Sequence, residues 1–278
     1  FGGDGVLALA ESGMEMRATV GKVLRQPKTL GHALDLVGAY LKNYMIDKAD
    51  AVMHTIIPIC REKGGLWQIK ALNFYAAVRA KQARYSESLE LLKELDSVLT
   101  LKDDEEGAWE VYDMVYRNFG VSYEGLGDEV NALKYFKKAR DVKVRAGIEE
   151  SWFDMWDIGR VQSVVAFHSG LEEELEAAIS YVMQSLDLHN KQEGHDKVMR
   201  AKILHTVAEC HLARALRLET NAEQKSRKKS QRKAVMREYR EALRYLEESH
   251  TLFKRHKGAY NPLTGREAES VAQACHAH

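Results

Sequence analysis

The sequence predicts an all-α protein, because three observations favour helix and argue against strand. Only three of the 278 residues are proline, and stretches rich in valine, isoleucine and threonine are few. Apolar residues recur at helical spacing along most of the chain, and short turns containing glycine separate the periodic stretches. This helix–turn–helix pattern repeats, which predicts a stack of about five helical hairpins.

The clearest hairpin lies between residues 116 and 145. Gly125 and Gly127 interrupt the helical pattern, since glycine accepts the dihedral angles of a tight turn. The second helix is expected to begin near Asp128, because a carboxylate suits the positive end of a helix dipole. Small and large side chains share the expected packing face, which consists of Phe119, Gly120, Tyr123, Ala132, Leu133, Phe136 and Ala139.

This hairpin resembles the tetratricopeptide repeat. Eight residues fall in order where that family places Trp, Leu, Gly, Tyr, Gly, Ala, Phe and Ala, namely Tyr116, Phe119, Gly120, Tyr123, Gly127, Ala132, Phe136 and Ala139. The closing proline of the family is absent, and Val144 lies near its place. The resemblance covers most of residues 27–258 and implies a right-handed α–α superhelix, a TPR-like solenoid. It implies protein–protein interaction and not catalysis.

The repeats divide the chain into an N-terminal arm at 1–26, a solenoid at 27–258 and a C-terminal capping helix at 259–278. Matching anchor residues in successive second helices lie 39, 44, 46 and 64 residues apart, and the last gap becomes about 42 without an insertion of about 22 residues. These gaps exceed the usual 34-residue period. This long period is somewhat similar to that of kinesin-light-chain-type adaptors. The repeats are expected at about 27–64, 65–107, 108–147, 148–194 and 195–258.

The first repeat begins at Pro27, a residue favoured at the first position of a helix. We expect Leu36 and Tyr40 to fill the inner face of its first helix, and we expect Pro58 to kink its second. Other expected packing residues are Ala49, Met53 and Ile56 in the first repeat, Tyr75, Ala76, Ser88, Leu91, Leu92 and Leu95 in the second, Val165, Ala166, Ala178, Val182 and Ser185 in the fourth, and Val207, Ala208, His211, Ala242, Leu246 and Ser249 in the fifth.

The fifth repeat carries about 22 residues more than the pattern requires, near 219–240. Three interpretations of this basic insertion stay open: a solvated helical extension or loop, a nuclear-import or nucleic-acid patch, and a docking arm for an acidic partner. Interleaved aromatic residues are absent, which disfavours base stacking. The basic residues of the insertion are Lys225, Arg227, Lys228, Lys229, Arg232 and Lys233.

Composition restricts the classes of partner and the compartment. Basic and acidic residues number 41 each, so the net charge is +0 and no global field attracts nucleic acid or an anionic membrane. No apolar run approaches the roughly 20 residues that span a bilayer. Three distant cysteines indicate reduced thiols, which favours the cytoplasm or an organelle interior. The chain begins with Phe1 and not Met, which is compatible with a removed targeting segment.

The strongest cluster of potentially catalytic side chains is His205, Glu209, Cys210 and His211. His205 and Glu209 lie one turn apart, a spacing suited to sharing a proton or a metal. However, His211 falls on a packing position of the repeat, and cysteine is a commonly buried residue, so a structural role is favoured. No zinc-protease, phosphate-binding or nucleophile-elbow motif is present. The sequence predicts no catalytic residue, no metal site and no cofactor.

In the tetratricopeptide family the first helices line a concave groove, and the repeat register assigns residues to it. Asparagine can donate to and accept from an extended peptide backbone, and basic side chains favour carboxylates. The expected function is a scaffold or adaptor that holds an extended acidic-to-apolar peptide. Two alternatives stay open: a structural or assembly subunit of a large, for example organellar, complex, and a nucleic-acid-associated protein using the basic insertion. The assigned groove residues are Lys70, Asn73, Phe74, Arg117, Asn118, Val121, Arg160, Val164, Phe167, Lys202 and His205.

Overall fold

The computed structural model describes residues 25–99, 108–192, 196–224 and 229–257, and its regular secondary structure there is all α-helix. The predicted all-α class is therefore confirmed. The predicted capping helix at 259–278 and residues 1–24 of the predicted N-terminal arm lie outside the described residues. The described helices are α1 Pro27–Lys42, α2 Ile46–Lys63, α3 Gly65–Lys81, α4 Tyr85–Val98, α5 Ala108–Gly125, α6 Glu129–Arg145, α7 Trp152–Ser169, α8 Glu172–Lys191, α9 Lys197–Gln224 and α10 Lys229–Lys257.

The chain divides into two compact units, Phe1–Gly127 and Asp128–His278. In the first unit each helix from α1 to α5 packs on the next. The odd-numbered helices also touch one another, α1 with α3 and α3 with α5. Consecutive hairpins thus stack with their first helices side by side.

The second unit repeats this arrangement from α6 to α10, and α7 also contacts α9. Helices α9 and α10 contain 28 and 29 residues, whereas α7 and α8 contain 18 and 20. The extra residues of the basic insertion therefore lengthen both helices of the last hairpin. The interpretation of the insertion as a helical extension agrees with this part of the structure. The division of residues 27–258 into five repeats stays a prediction.

The five small anchor residues, one from each predicted repeat, have no exposed surface: Ala49, Ser88, Ala132, Ala178 and Ala242. The serine is satisfied in the interior, because its Oγ donates to the carbonyl oxygen of Ala76 at 2.9 Å. Small side chains at these positions let neighbouring helices approach, and the apolar side chains beside them fill the core.

The prediction that Leu36 fills the inner face of α1 was wrong, whereas Tyr40, predicted with it, is half-buried. Leu36 is 42% exposed, while Leu30, Leu34 and Val37 are buried. The buried residues recur at intervals of four and three, as one helix face requires. The side chain of Leu36 points about 100° away from the side chain of Val37. A shift of one residue in register therefore placed the prediction on the wrong face of the helix.

Two local predictions concern helix geometry. Asp128 caps α6, because its side chain accepts a hydrogen bond from the backbone N–H of Asn131 at 3.1 Å. Pro58 lies inside α2, which continues to Lys63, and the kink expected there stays a prediction. None of the helices in the described ranges combines the length and the apolar character needed to cross a lipid bilayer.

Candidate partner-binding surface

In the first unit the predicted surface residues lie on α3 and α5, which pack side by side. Asn73 is buried, whereas Lys70 is exposed. The remaining members are half-buried, and they are Phe74, Arg117, Asn118 and Val121. The register of the repeats therefore predicted a pair of adjacent helices, but it did not predict the burial of Asn73.

The two asparagines of this surface bind each other. Asn118 donates its Nδ2 hydrogen to Oδ1 of Asn73 at 2.8 Å, and the same nitrogen lies 3.3 Å from the Asn73 carbonyl oxygen. Next to this pair, Ser122 donates to the Asn118 carbonyl oxygen at 2.8 Å and lies 2.8 Å from Oγ of Ser88. The polar chain joins α3, α4 and α5, so these asparagines stabilise the helix stack.

The arginine of this surface already has an acidic neighbour. Nη2 of Arg117 lies 3.3 Å from Oδ1 of Asp113, one turn earlier on α5, and both side chains are mostly buried. A carboxylate of a partner would therefore share Arg117 with Asp113. The spacing of four residues was visible in the sequence and would have identified this pair.

In the second unit the predicted residues lie on α7 and α9, which are also neighbours. Trp156 on α7 donates its indole N–H to Oγ1 of Thr206 on α9 at 3.0 Å. The guanidinium of Arg160 lies over the Trp156 ring, 5.1 Å from its centre, a favourable cation–π distance. Trp156 thus links α7 to α9 and also contacts Arg160, one of the predicted surface residues.

An arginine–carboxylate ion pair and a histidine–carboxylate contact lie in this part of the surface. Nη2 of Arg160 lies 3.2 Å from Oδ1 of Asp157, and Nε2 of His205 lies 3.3 Å from Oε1 of Glu209. Burial lowers the pKa of Arg160 to about 10, and the charge of Glu209 opposes this shift. The guanidinium therefore stays charged at neutral pH, and the carboxylates of Asp157 and Glu209 lie beside the predicted residues Arg160 and His205.

Apolar side chains are exposed beside these charges. Val164 is 37% exposed and Phe167 is 45% exposed. They lie three residues apart on α7 and therefore share a face. Leu171 is also exposed and lies in the turn that follows. Val164 and Phe167, both predicted, form an exposed apolar strip at the C-terminal end of α7.

The potentially catalytic cluster separates into unrelated contacts. Cys210 is fully buried, and burial raises the pKa of its thiol to about 12, which leaves it protonated at neutral pH. Nδ1 of His211 lies 2.8 Å from Oε2 of Glu238 on α10, whereas His205 pairs with Glu209 on its own helix. Over the described ranges, no group of three or more His, Cys, Asp or Glu side chains is placed to hold a metal ion.

The structure covers only part of the basic insertion. Lys225, Arg227 and Lys228 lie outside the described residues, and Lys229 is the first residue of α10. Arg232 and Lys233 are exposed on α10. Their side chains are presented by a helix that continues into the core of the last hairpin.

Comparison with known proteins identifies the fold. No protein-family model and no curated protein matches the sequence. A protein described as a kinesin light chain with nearly identical TPR-like repeats, from Podosopora anserina, superposes with a TM-score of 0.52 at 13% identity, covering 83% of this chain and 97% of that one. BtubC (BKLC) from P. vanneervenii gives a TM-score of 0.55 at 14% identity over 92% of each chain. The fold is that of a TPR-like repeat protein.

The resemblance predicted from residues 116–145 is confirmed at the level of the fold. The structural neighbours of this TPR-like chain include kinesin light chain proteins that are distant in sequence. TPR-like repeats generally act as protein-interaction modules, because stacked hairpins create extended binding surfaces.

Proposed function

We propose that this TPR-like chain is a non-enzymatic scaffold that binds an extended segment of a partner protein on the first helices of its repeats. The exposed apolar strip on α7 is the observation that supports this proposal. Val164 and Phe167 expose apolar surface on the same helix that carries the ordered Arg160–Asp157 pair. Binding surfaces commonly combine an apolar centre with a few oriented polar groups.

The contacts of this surface restrict the chemistry of the segment. Apolar side chains of the partner would pack on Val164 and Phe167, because that burial removes exposed apolar area from water. Arg160 contacts the Trp156 ring and Asp157 on its own helix, and a side chain held by such contacts would lower the entropic cost of binding. A carboxylate of the segment would be attracted by the positive charge of Arg160, which it would share with Asp157.

A photo-crosslinker placed in the apolar strip tests whether the partner binds there. Replacing Phe167 with p-benzoylphenylalanine should give a covalent adduct with one partner in cells that express the full chain. Val144 is the matched control, because it is an exposed apolar residue on α6, a second helix. Equal adducts from both positions, or none from position 167, would contradict the proposal.

Substitution of a residue in the same strip tests how much the strip contributes to the binding free energy. We expect Phe167→Asp to weaken binding of the crosslinked partner at least about tenfold. A side chain that contributes about 1.4 kcal/mol to the binding free energy changes the affinity by that factor. The side chain is exposed, so the melting temperature should stay close to that of the parent chain. Val144→Asp should leave the affinity unchanged. Unchanged binding by a folded Phe167→Asp protein would rule out the strip as the binding surface.

A further inference from the structure

We propose that the solvent face of α10 is a separate docking surface for an acidic segment of a partner protein. This basic stripe consists of Lys233, Arg237, Arg240 and Arg244. Lys233, Arg237 and Arg240 lie within the basic insertion predicted near 219–240, and Arg244 follows it on the same helix. The stripe does not depend on the surface proposed for the first helices.

The helix itself aligns the four cations. They follow one another at intervals of four, three and four residues, which places them on one side of an α-helix over about 16 Å. The opposite side of α10 is fixed in the core by Val235, Tyr239, Ala242 and Leu246, all buried. The stripe therefore faces solvent because of the packing of α10.

Much of this positive charge is uncompensated. Lys233 and Arg240 are exposed and form no ion pair with any residue in the described ranges. Arg237 is 73% exposed and lies 3.2 Å from Oε1 of Glu238, a buried carboxylate that His211 also contacts. Arg244 is 62% exposed and lies 2.6 Å from Oε2 of Glu241. The stripe thus offers donors to an incoming anion along its whole length.

Three features favour a row of carboxylates over other polyanions. The three arginines present planar forks that bind carboxylates in pairs of hydrogen bonds. The apolar face of α10 is already buried, so the helix has no apolar side to insert into a lipid surface. The stripe contains no aromatic residue for base stacking, which disfavours single-stranded nucleic acid. An acidic helix with matching spacing, or an acidic extended segment, fits this surface.

A model peptide gives a direct test. The probe is a fluorescent helical peptide with glutamates at intervals of four, three and four residues, and its reference has glutamine at the same positions. We expect the glutamate peptide to bind the full chain at low ionic strength, and the affinity to fall as salt screens the charges. The double variant Lys233→Glu with Arg240→Glu should weaken binding at least about tenfold, since each reversal replaces an attraction by a repulsion.

The matched control reverses the same amount of charge elsewhere. Lys93 and Lys134 are exposed on α4 and α6, and Lys93→Glu with Lys134→Glu should leave the peptide affinity within about twofold. Circular dichroism melts establish that both double variants are folded. Equal binding of the glutamate and glutamine peptides, or undiminished binding by the folded stripe variant, would overturn the proposal. Tighter binding of labelled RNA, duplex DNA or phosphatidylserine vesicles than of the glutamate peptide would overturn it too.

Discussion

Gly159 occupies a point where α7 and α8 leave no room for a side chain. A Cβ atom there would lie 2.5 Å from Cγ2 of Val182 and 3.0 Å from its backbone nitrogen. The nitrogen belongs to the main chain of α8, so it yields only if the helices separate. This glycine therefore sets the distance between the two helices, and the sequence pattern did not single it out.

We expect Gly159→Ala to reduce the free energy of unfolding by about 1–3 kcal/mol, the usual cost of overpacking a core, as measured by urea denaturation. Gly31→Ala is the matched control. Its Cβ would lie 3.8 Å from the Trp67 ring, an ordinary contact, and alanine favours helix over glycine by roughly 0.5–1 kcal/mol. A Gly159→Ala protein as stable as the parent chain would show that the helices separate at little cost.

Some features of the candidate binding surface could be predicted from the sequence, and others could not. The exposure of Phe167 and Val164 follows from helical register alone, because register determines which face a residue occupies. The bond between Asn73 and Asn118 joins residues that are 45 positions apart, so it depends on the distance and rotation of two helices. Packing determines those quantities, and a single repeat pattern does not contain them.

At the level of the helices, α9 and α10 are joined by a buried contact between His211 and Glu238. Glu238 is almost entirely buried and contacts His211 at 2.8 Å. Burial alone would raise the pKa of Glu238, but the hydrogen bond to His211 and the charges of His211 and Arg214 outweigh it and lower the pKa below its usual range. The folded chain therefore binds a proton at Glu238 less readily than the unfolded chain.

We expect Glu238→Gln to destabilise the chain by about 1–3 kcal/mol at neutral pH, because a charge-assisted hydrogen bond is lost. A lowered carboxyl pKa stabilises the folded state above the pKa of the unfolded state, roughly 4.3, and this stabilisation is lost as the pH falls through the folded value. The stability difference between parent and variant should therefore narrow below about pH 4. Urea denaturation over a pH series measures this.

Glu247→Gln is the control for that series, because Glu247 is exposed on the same helix. It should change stability by less than about 0.5 kcal/mol at any pH. A constant difference between the parent chain and Glu238→Gln across the acid range would mean that the Glu238 charge contributes nothing.

The helices show why sequence patterns locate some elements and misplace others. The turn before α6 combines glycine at 127 with the capping residue Asp128, so this boundary was predictable. The inner face of α1 was not, because Leu34, Leu36 and Val37 are all apolar and the period alone does not choose among them. Contact with α2 and α3 made that choice.

For the whole molecule, the fold class was predictable because the same small and large residues recur at matching places in successive hairpins. The sequence located the basic insertion, but the alignment of Lys233, Arg237, Arg240 and Arg244 on the solvent side became evident only from the burial of the opposite side of α10. The long last hairpin appeared only as an excess of residues. Its division between two helices became evident from the bounds of α9 and α10.

The two proposed surfaces should act independently, because they lie on different helices, α7 and α10. We expect the stripe variant Lys233→Glu with Arg240→Glu to retain the crosslink from position 167. We expect Phe167→Asp, in turn, to retain the affinity for the glutamate peptide. Distant sites without shared contacts usually have additive effects. Loss of both activities in either folded variant would indicate a single binding surface instead.

The last hairpin contains a small layer of its own, built from Ala215, Val235 and Tyr239 with Leu212 and Leu218 beside them. All of these residues belong to α9 and α10. The length of this hairpin can therefore change separately from the length of the other helices. Adding the same number of heptads to both α9 and α10, or removing them, would keep Ala242 packed against its present neighbours. A longer or shorter hairpin of this kind would move the basic stripe relative to the rest of its unit without requiring other helices to repack.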